Sequence, residues 1–139
     1  LLHYEGYPCD VNDIDILVDV LDYEKVIDAI RHIPYVYMNS NEKYQTEHFF
    51  NLTINNVEID IMLNFGIKHH KGTYHFPFNK SLISRSFVLE NVKIYLSSVS
   101  EWEKAYTYMG REDKTALLKK GKHYNVVAFL LTSFFLQIP

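Results

Sequence analysis

Sulfur chemistry is almost missing from this chain. Its 139 residues include one cysteine, Cys9, so no internal disulfide can form, and a reducing compartment, the cytoplasm, is expected. Excess charge of one sign is missing too. A formal net charge of −3 leaves no basic field of the kind a dedicated nucleic-acid binder carries. A long unbroken apolar run is also lacking. The apolar tail at 126–138 is interrupted by Thr132, Ser133 and Gln137, is too short for a membrane span, and reads as a buried terminal helix. Residues 1–8 lack the basic flank and apolar core of a secretory leader. No internal repeat, low-complexity tract or linker interrupts the pattern. The chain opens on Leu1 inside what reads as the end of a helix capped by Gly6, so it is expected to be truncated at its N-terminus.

What is present points to a globular domain. Hydrophobic residues make up 47% of the chain and aromatics 15%, enough to build a core and too much for a disordered segment. The length suits one domain. Residues 13–20 read as a strand, 22–33 as a helix opened by Asp22 and stopped by Pro34, and 35–38 as a short edge strand. Residues 49–54 and 57–65 flank Asn55-Asn56, a pair that tolerates positive φ and predicts a two-residue hairpin turn. That register sets Asp60 opposite Asn51. A loop over 66–80 and a strand or strand pair over 86–96 follow, with a turn near Glu90-Asn91. Ser98-Val99-Ser100-Glu101 has the form of a capping box opening a helix to about Met109, which Gly110 ends; a second helix spans 112–120. The order of elements predicts an α+β fold, a small mixed sheet flanked by helices. It divides into a core over 1–96 and a helical segment over 97–139, packed as a single domain.

The acids carry the chemistry. Asp13 and Asp15 alternate with Ile14 and Ile16, so both carboxylates share one face of their strand. Two carboxylates about 4 to 6 Å apart repel by several kcal/mol at an effective dielectric near 20, so a fold that holds them there raises a pKa or supplies a cation. Asp60, in Glu58-Ile59-Asp60-Ile61, is presented on the more polar face of its hairpin arm. Three carboxylates on neighbouring strands would form an oxygen-rich site suited to Mg²⁺.

The run Gly6-Tyr7-Pro8 followed by Asp10 to Val18 resembles the nucleotidyltransferase superfamily related to DNA polymerase β. It is most similar to the small bacterial branch, which includes minimal nucleotidyltransferases, lincosamide nucleotidyltransferases and the toxin subunits of AbiE-type toxin–antitoxin systems. The stretch from Val92 through the capping box to Gly110-Arg111-Glu112-Asp113-Lys114 resembles the family's segment after the sheet, although Asp113-Lys114 inverts the usual Lys-Asp order. The Gly-Ser motif that cradles the nucleotide phosphates in that family would lie upstream of Leu1.

The resemblance implies that Asp13, Asp15 and Asp60 are the catalytic, metal-binding acids. It implies Mg²⁺ or Mn²⁺ as cofactor, an NTP such as ATP as substrate, and a hydroxyl of a small molecule (an antibiotic among them), a protein or an RNA such as tRNA as acceptor. Lys68 and His70, just beyond the third-acid strand, are candidate nucleotide-binding residues. A catalytically degenerate module in a toxin–antitoxin or phage-defence complex is the alternative, with a cognate antitoxin-like protein or a second copy as partner.

Overall fold

The computed structural model describes residues 5–7, 11, 13–78 and 83–120. The expected helix end at 1–4 and the apolar tail at 126–138 lie outside the described residues, as do Cys9 and Asp10. The fold is mixed α+β, with a central mixed sheet and three α-helices among the described residues. No helix among the described residues is long and apolar enough to cross a membrane.

The chain divides into two compact units, Val11–Ile83 and a second made of Leu1–Asp10 with Ser84–Pro139. This division falls at Ile83, whereas the sequence reading drew its boundary between residues 96 and 97.

The first unit is built on a four-stranded sheet in the order β1-β4-β3-β2. Its strands are β1 (Asp13–Val18), β2 (Tyr35–Met38), β3 (His48–Ile54) and β4 (Val57–Leu63). β3 and β4 form the expected antiparallel hairpin, with Ile54 opposite Val57 and Asn51 opposite Asp60. Asn55 and Asn56 turn it with φ of 51° and 64°, the two positive values that a type I′ turn demands. β1 pairs with β4 in parallel. A parallel neighbour needs a crossover, and α1 (Tyr23–Ile30) supplies part of it.

One face of this sheet is the core. Phe50, Leu52, Ile61 and Leu63 pack against Val26 and Ile30 of α1, with Val18, Ile27 and Ile59 closing around them. Phe50 and Leu63 are almost wholly buried, each burial being worth about 1.5–3 kcal/mol. Tyr35 and Tyr37 of the edge strand meet the Phe50 ring edge-on, at centroid separations of 5.4 and 5.3 Å.

Several local expectations are corrected. β1 ends at Val18, not at residue 20, because the Asp19 carboxylate accepts from the Leu21 N–H at 3.0 Å and draws 20–22 into a 3-10 turn. α1 stops at Ile30 rather than 33. Pro34 disfavours helical backbone at the residue before it, and Ile33 N–H instead closes a turn onto the Ile30 carbonyl. β1 is an edge strand of this sheet, with Ile14 and Ile16 45% and 40% exposed.

The expected loop at 66–80 contains an antiparallel ribbon, β5 (Gly66–His69) and β6 (Gly72–His75). Its apolar side chain Ile67 is fully buried, and Tyr44 forms an isolated bridge to it from the other edge. Gly66 is required here: a Cβ would lie 2.6 Å from the Gln45 carbonyl oxygen.

The second unit holds β7 (Ile83–Leu89) and β8 (Val92–Ser97), followed by α2 (Val99–Met109) and α3 (Glu112–Lys120). Glu90 and Asn91, with φ of 47° and 67°, turn β7 into β8 as Asn55-Asn56 turn the first hairpin. Tyr7 and Leu118 are buried together among Val99, Tyr106 and Leu117. Gly110 caps α2 in the left-handed conformation, φ 71°. Ser98 stands at the N-cap, but its side chain makes no cap bond: its hydroxyl pairs with that of Ser100 at 2.7 Å, and Glu101 pairs with Lys104.

Candidate functional site

The second face of the four-stranded sheet has a different character. Alternation along each strand turns Asp13, Asp15 and Leu17 of β1 to the side away from α1, together with Glu58, Asp60 and Met62 of β4. The parallel register pairs Asp13 with Glu58, and Asp15 with Asp60. Adjacent strands lie about 4.8 Å apart and alternate residues on one strand about 6.6 Å apart, so four acidic residues occupy one small rectangle of this face. Asp13, Asp15 and Glu58 are exposed and Asp60 is half-buried.

β3 extends the row. Asn51 is the register partner of Asp60, and its amide Nδ2 donates to Asp60 Oδ1 at 2.7 Å. This bond fixes the rotation of the Asp60 carboxylate and engages one of its oxygens from the side opposite β1. The structure therefore brings the three aspartates named from sequence onto one face, with Asp15 and Asp60 as direct neighbours. It adds Glu58 and Asn51 to them. The sequence carried a signal for both, since Glu58 alternates with Asp60 and Asn51 faces it across the hairpin. What it could not reveal was the parallel pairing that sets Glu58 beside Asp13.

The donor set consists of carboxylate oxygens, the ligands that Mg²⁺ and Mn²⁺ prefer. Among the described residues, no three His, Cys, Asp or Glu side chains are grouped so as to cage an ion. A cage is not required by the chemistry. Mg²⁺ keeps several waters and is ordinarily held by one or two carboxylates together with substrate phosphates. Paired carboxylates on adjacent strands fit that mode of binding.

Lys68 and His70 belong to the ribbon that leaves the end of β4. Lys68 is exposed on β5, where its backbone N–H bonds the Lys43 carbonyl, and His70 is exposed in the turn before β6. Neither makes an ion pair among the described residues.

Beyond the acidic rectangle the same face becomes apolar. Leu17 and Met62, one alternation on from Asp15 and Asp60 and paired with each other, floor a cleft of about 190 Å³. Phe65, Phe76 and Phe78 wall it, and Asp19 and Asn64 supply its polar groups.

No protein-family model matches the chain, and no curated protein matches it with significance. Its fold is similar to that of a solved structure from Thermotoga maritima, a provisionally assigned nucleotidyltransferase. The two share 25% identity over 86% of this chain and 74% of that one, with a TM-score of 0.63. This likeness supports a nucleotidyltransferase fold for the chain.

Proposed function

We propose that the acidic face of the four-stranded sheet carries out nucleotidyl transfer. The acceptor hydroxyl oxygen bonds to the α-phosphorus of an NTP, the bond from that phosphorus to the bridging oxygen of the leaving pyrophosphate breaks, and the hydroxyl proton passes to a carboxylate. The pairing of Asp15 with Asp60 on adjacent parallel strands is the observation that carries this reading. Neighbouring strands lie about 4.8 Å apart, close enough for one acid to serve the donor and the other the acceptor.

Asp13 and Asp15 would hold Mg²⁺ or Mn²⁺ together with the triphosphate. When bound, such an ion offsets charge on the transferring phosphoryl oxygens. Asp60 stands on the acceptor side, as a further ligand or as the base for the acceptor hydroxyl. Asn51 holds the Asp60 carboxylate at a fixed rotation, which favours a productive hydrogen bond over a searching one. Lys68 and His70 would lend positive charge to the triphosphate tail. The solved neighbour's assignment supports the same class of reaction.

The test is to incubate the full-length protein with each α-phosphate-labelled NTP and Mg²⁺ or Mn²⁺, alongside small-molecule acceptors and total tRNA. Pyrophosphate release with labelled product is expected from the wild type and from neither Asp15→Asn nor Asp60→Asn. Undiminished product from both variants would end the reading. A second reading, a non-catalytic module in a toxin–antitoxin or phage-defence complex, draws on the lack of a three-ligand group among the described residues. A folded wild type that releases no pyrophosphate from any NTP would select it.

A further inference from the structure

We propose that the cleft floored by Leu17 and Met62 is a subsite for one compact apolar ring of the acceptor, bearing hydroxyl or amino donors and neutral or positively charged. The assignment of the ring to an acceptor rests on the transfer reading above; the cleft's preference for such a ring does not.

Position is the first argument. Leu17 follows Asp15 and Met62 follows Asp60 on the same face, so the cleft begins about 6.6 Å from the acidic row. A ring seated there can reach back to Asp60 with a hydroxyl without the ring itself crowding the carboxylates. Size is the second. At about 190 Å³ the cleft falls below the roughly 300–1,000 Å³ that receives a drug-sized ligand, so it takes one ring and not a whole extended molecule.

Lining chemistry is the third. Phe65 and Phe76 lie near-parallel, at 6.3 Å and 29°, and Phe78 is 60% exposed at the same cleft. Their faces attract apolar rings and cations alike. Met62 adds a flexible thioether that adapts to ring shape. The polar lining consists of one carboxylate, Asp19, and Asn64, whose amide nitrogen is drawn to Glu47 at 3.0 Å. Among the described residues, no lysine, arginine or histidine lines the cleft. Without a bound metal ion, an anionic ring entering it would therefore meet Asp19 and the neighbouring acidic row with no cation among the described lining residues to offset them.

The experiment titrates the isotopically labelled full-length protein, without nucleotide, with benzamidine, benzyl alcohol and benzoate in turn, while amide signals are followed by NMR. Benzamidine and benzyl alcohol should shift Leu17, Met62, Phe65 and Phe76 saturably, and benzoate should bind at least tenfold more weakly. Asp19→Asn keeps an oxygen to accept from the Leu21 N–H, so it preserves the turn; it should narrow the gap between benzamidine and benzyl alcohol. Equal binding of benzoate and benzamidine, or saturable shifts confined to other parts of the chain, would overturn the proposal. So would an Asp19→Asn variant that retains the full preference for benzamidine. The two readings fail separately. Ring binding without pyrophosphate release sinks the transfer reading alone, and transfer without ring binding in the cleft sinks the subsite alone.

Discussion

The two faces of the four-stranded sheet are made from the same strands and share every backbone hydrogen bond, yet they are built for opposite ends. Toward α1 the strands present Phe50, Leu52, Ile61 and Leu63, which are buried. Away from it they present Asp13, Asp15, Glu58 and Asp60, like charges gathered on one face that add nothing to the core. Strand alternation separates stability from chemistry at the spacing of a single residue. An acidic cluster of this kind persists because the other face more than offsets its cost, and charge arranged against stability is a recurrent mark of functional sites.

Substitutions can break this contrast at either face. On the core side, Phe50→Ala should cost about 3–5 kcal/mol, read by chemical denaturation, because the ring leaves a cavity between α1 and the edge-strand tyrosines. On the acidic side, Asp15→Asn should reduce nucleotidyl transfer by at least about a hundredfold, the scale of losing a group that acts in the transition state. The same variant should unfold within about 1 kcal/mol of the wild type, because Asp15 is exposed on the face away from the core. A large loss of stability in Asp15→Asn would erase the distinction between the faces. Asn51→Ala should cost about 1 kcal/mol from its bond to Asp60, and should lower transfer more than it raises the substrate concentration needed for half-maximal rate. Smallest of all, Asn56→Gly should stabilise the hairpin by less than about 1 kcal/mol, since glycine takes φ of 64° without a Cβ penalty.

Local chemistry was legible in the chain where one short segment decides the outcome. Asn55-Asn56 specified a turn, the turn set the register, and the register placed Asn51 opposite Asp60. Gly110 ended α2 for an equally local reason. The partnership of β1 with β4 was not legible, because parallel pairing joins segments some forty residues apart and leaves no local mark. The consequence was that Glu58 went unnamed beside Asp13. The ribbon at 66–75 was missed for a different reason. Its His and Lys content reads as loop, while only Ile67 and Tyr74, which face each other, betray the period of two. The capping box shows that a motif can mark a helix start without its N-cap hydroxyl bond, since Ser100 competes for the Ser98 hydroxyl.

Paramagnetic Mn²⁺ offers the most direct test of the claim that the face opposite α1 is where a nucleotide and its ion meet. In the labelled full-length protein with NTP present, Mn²⁺ should broaden the amides around Asp15 and Asp60 first, spare those of α1, and lose this effect in Asp15→Asn. Broadening centred elsewhere, or an unchanged pattern in the variant, would contradict the account.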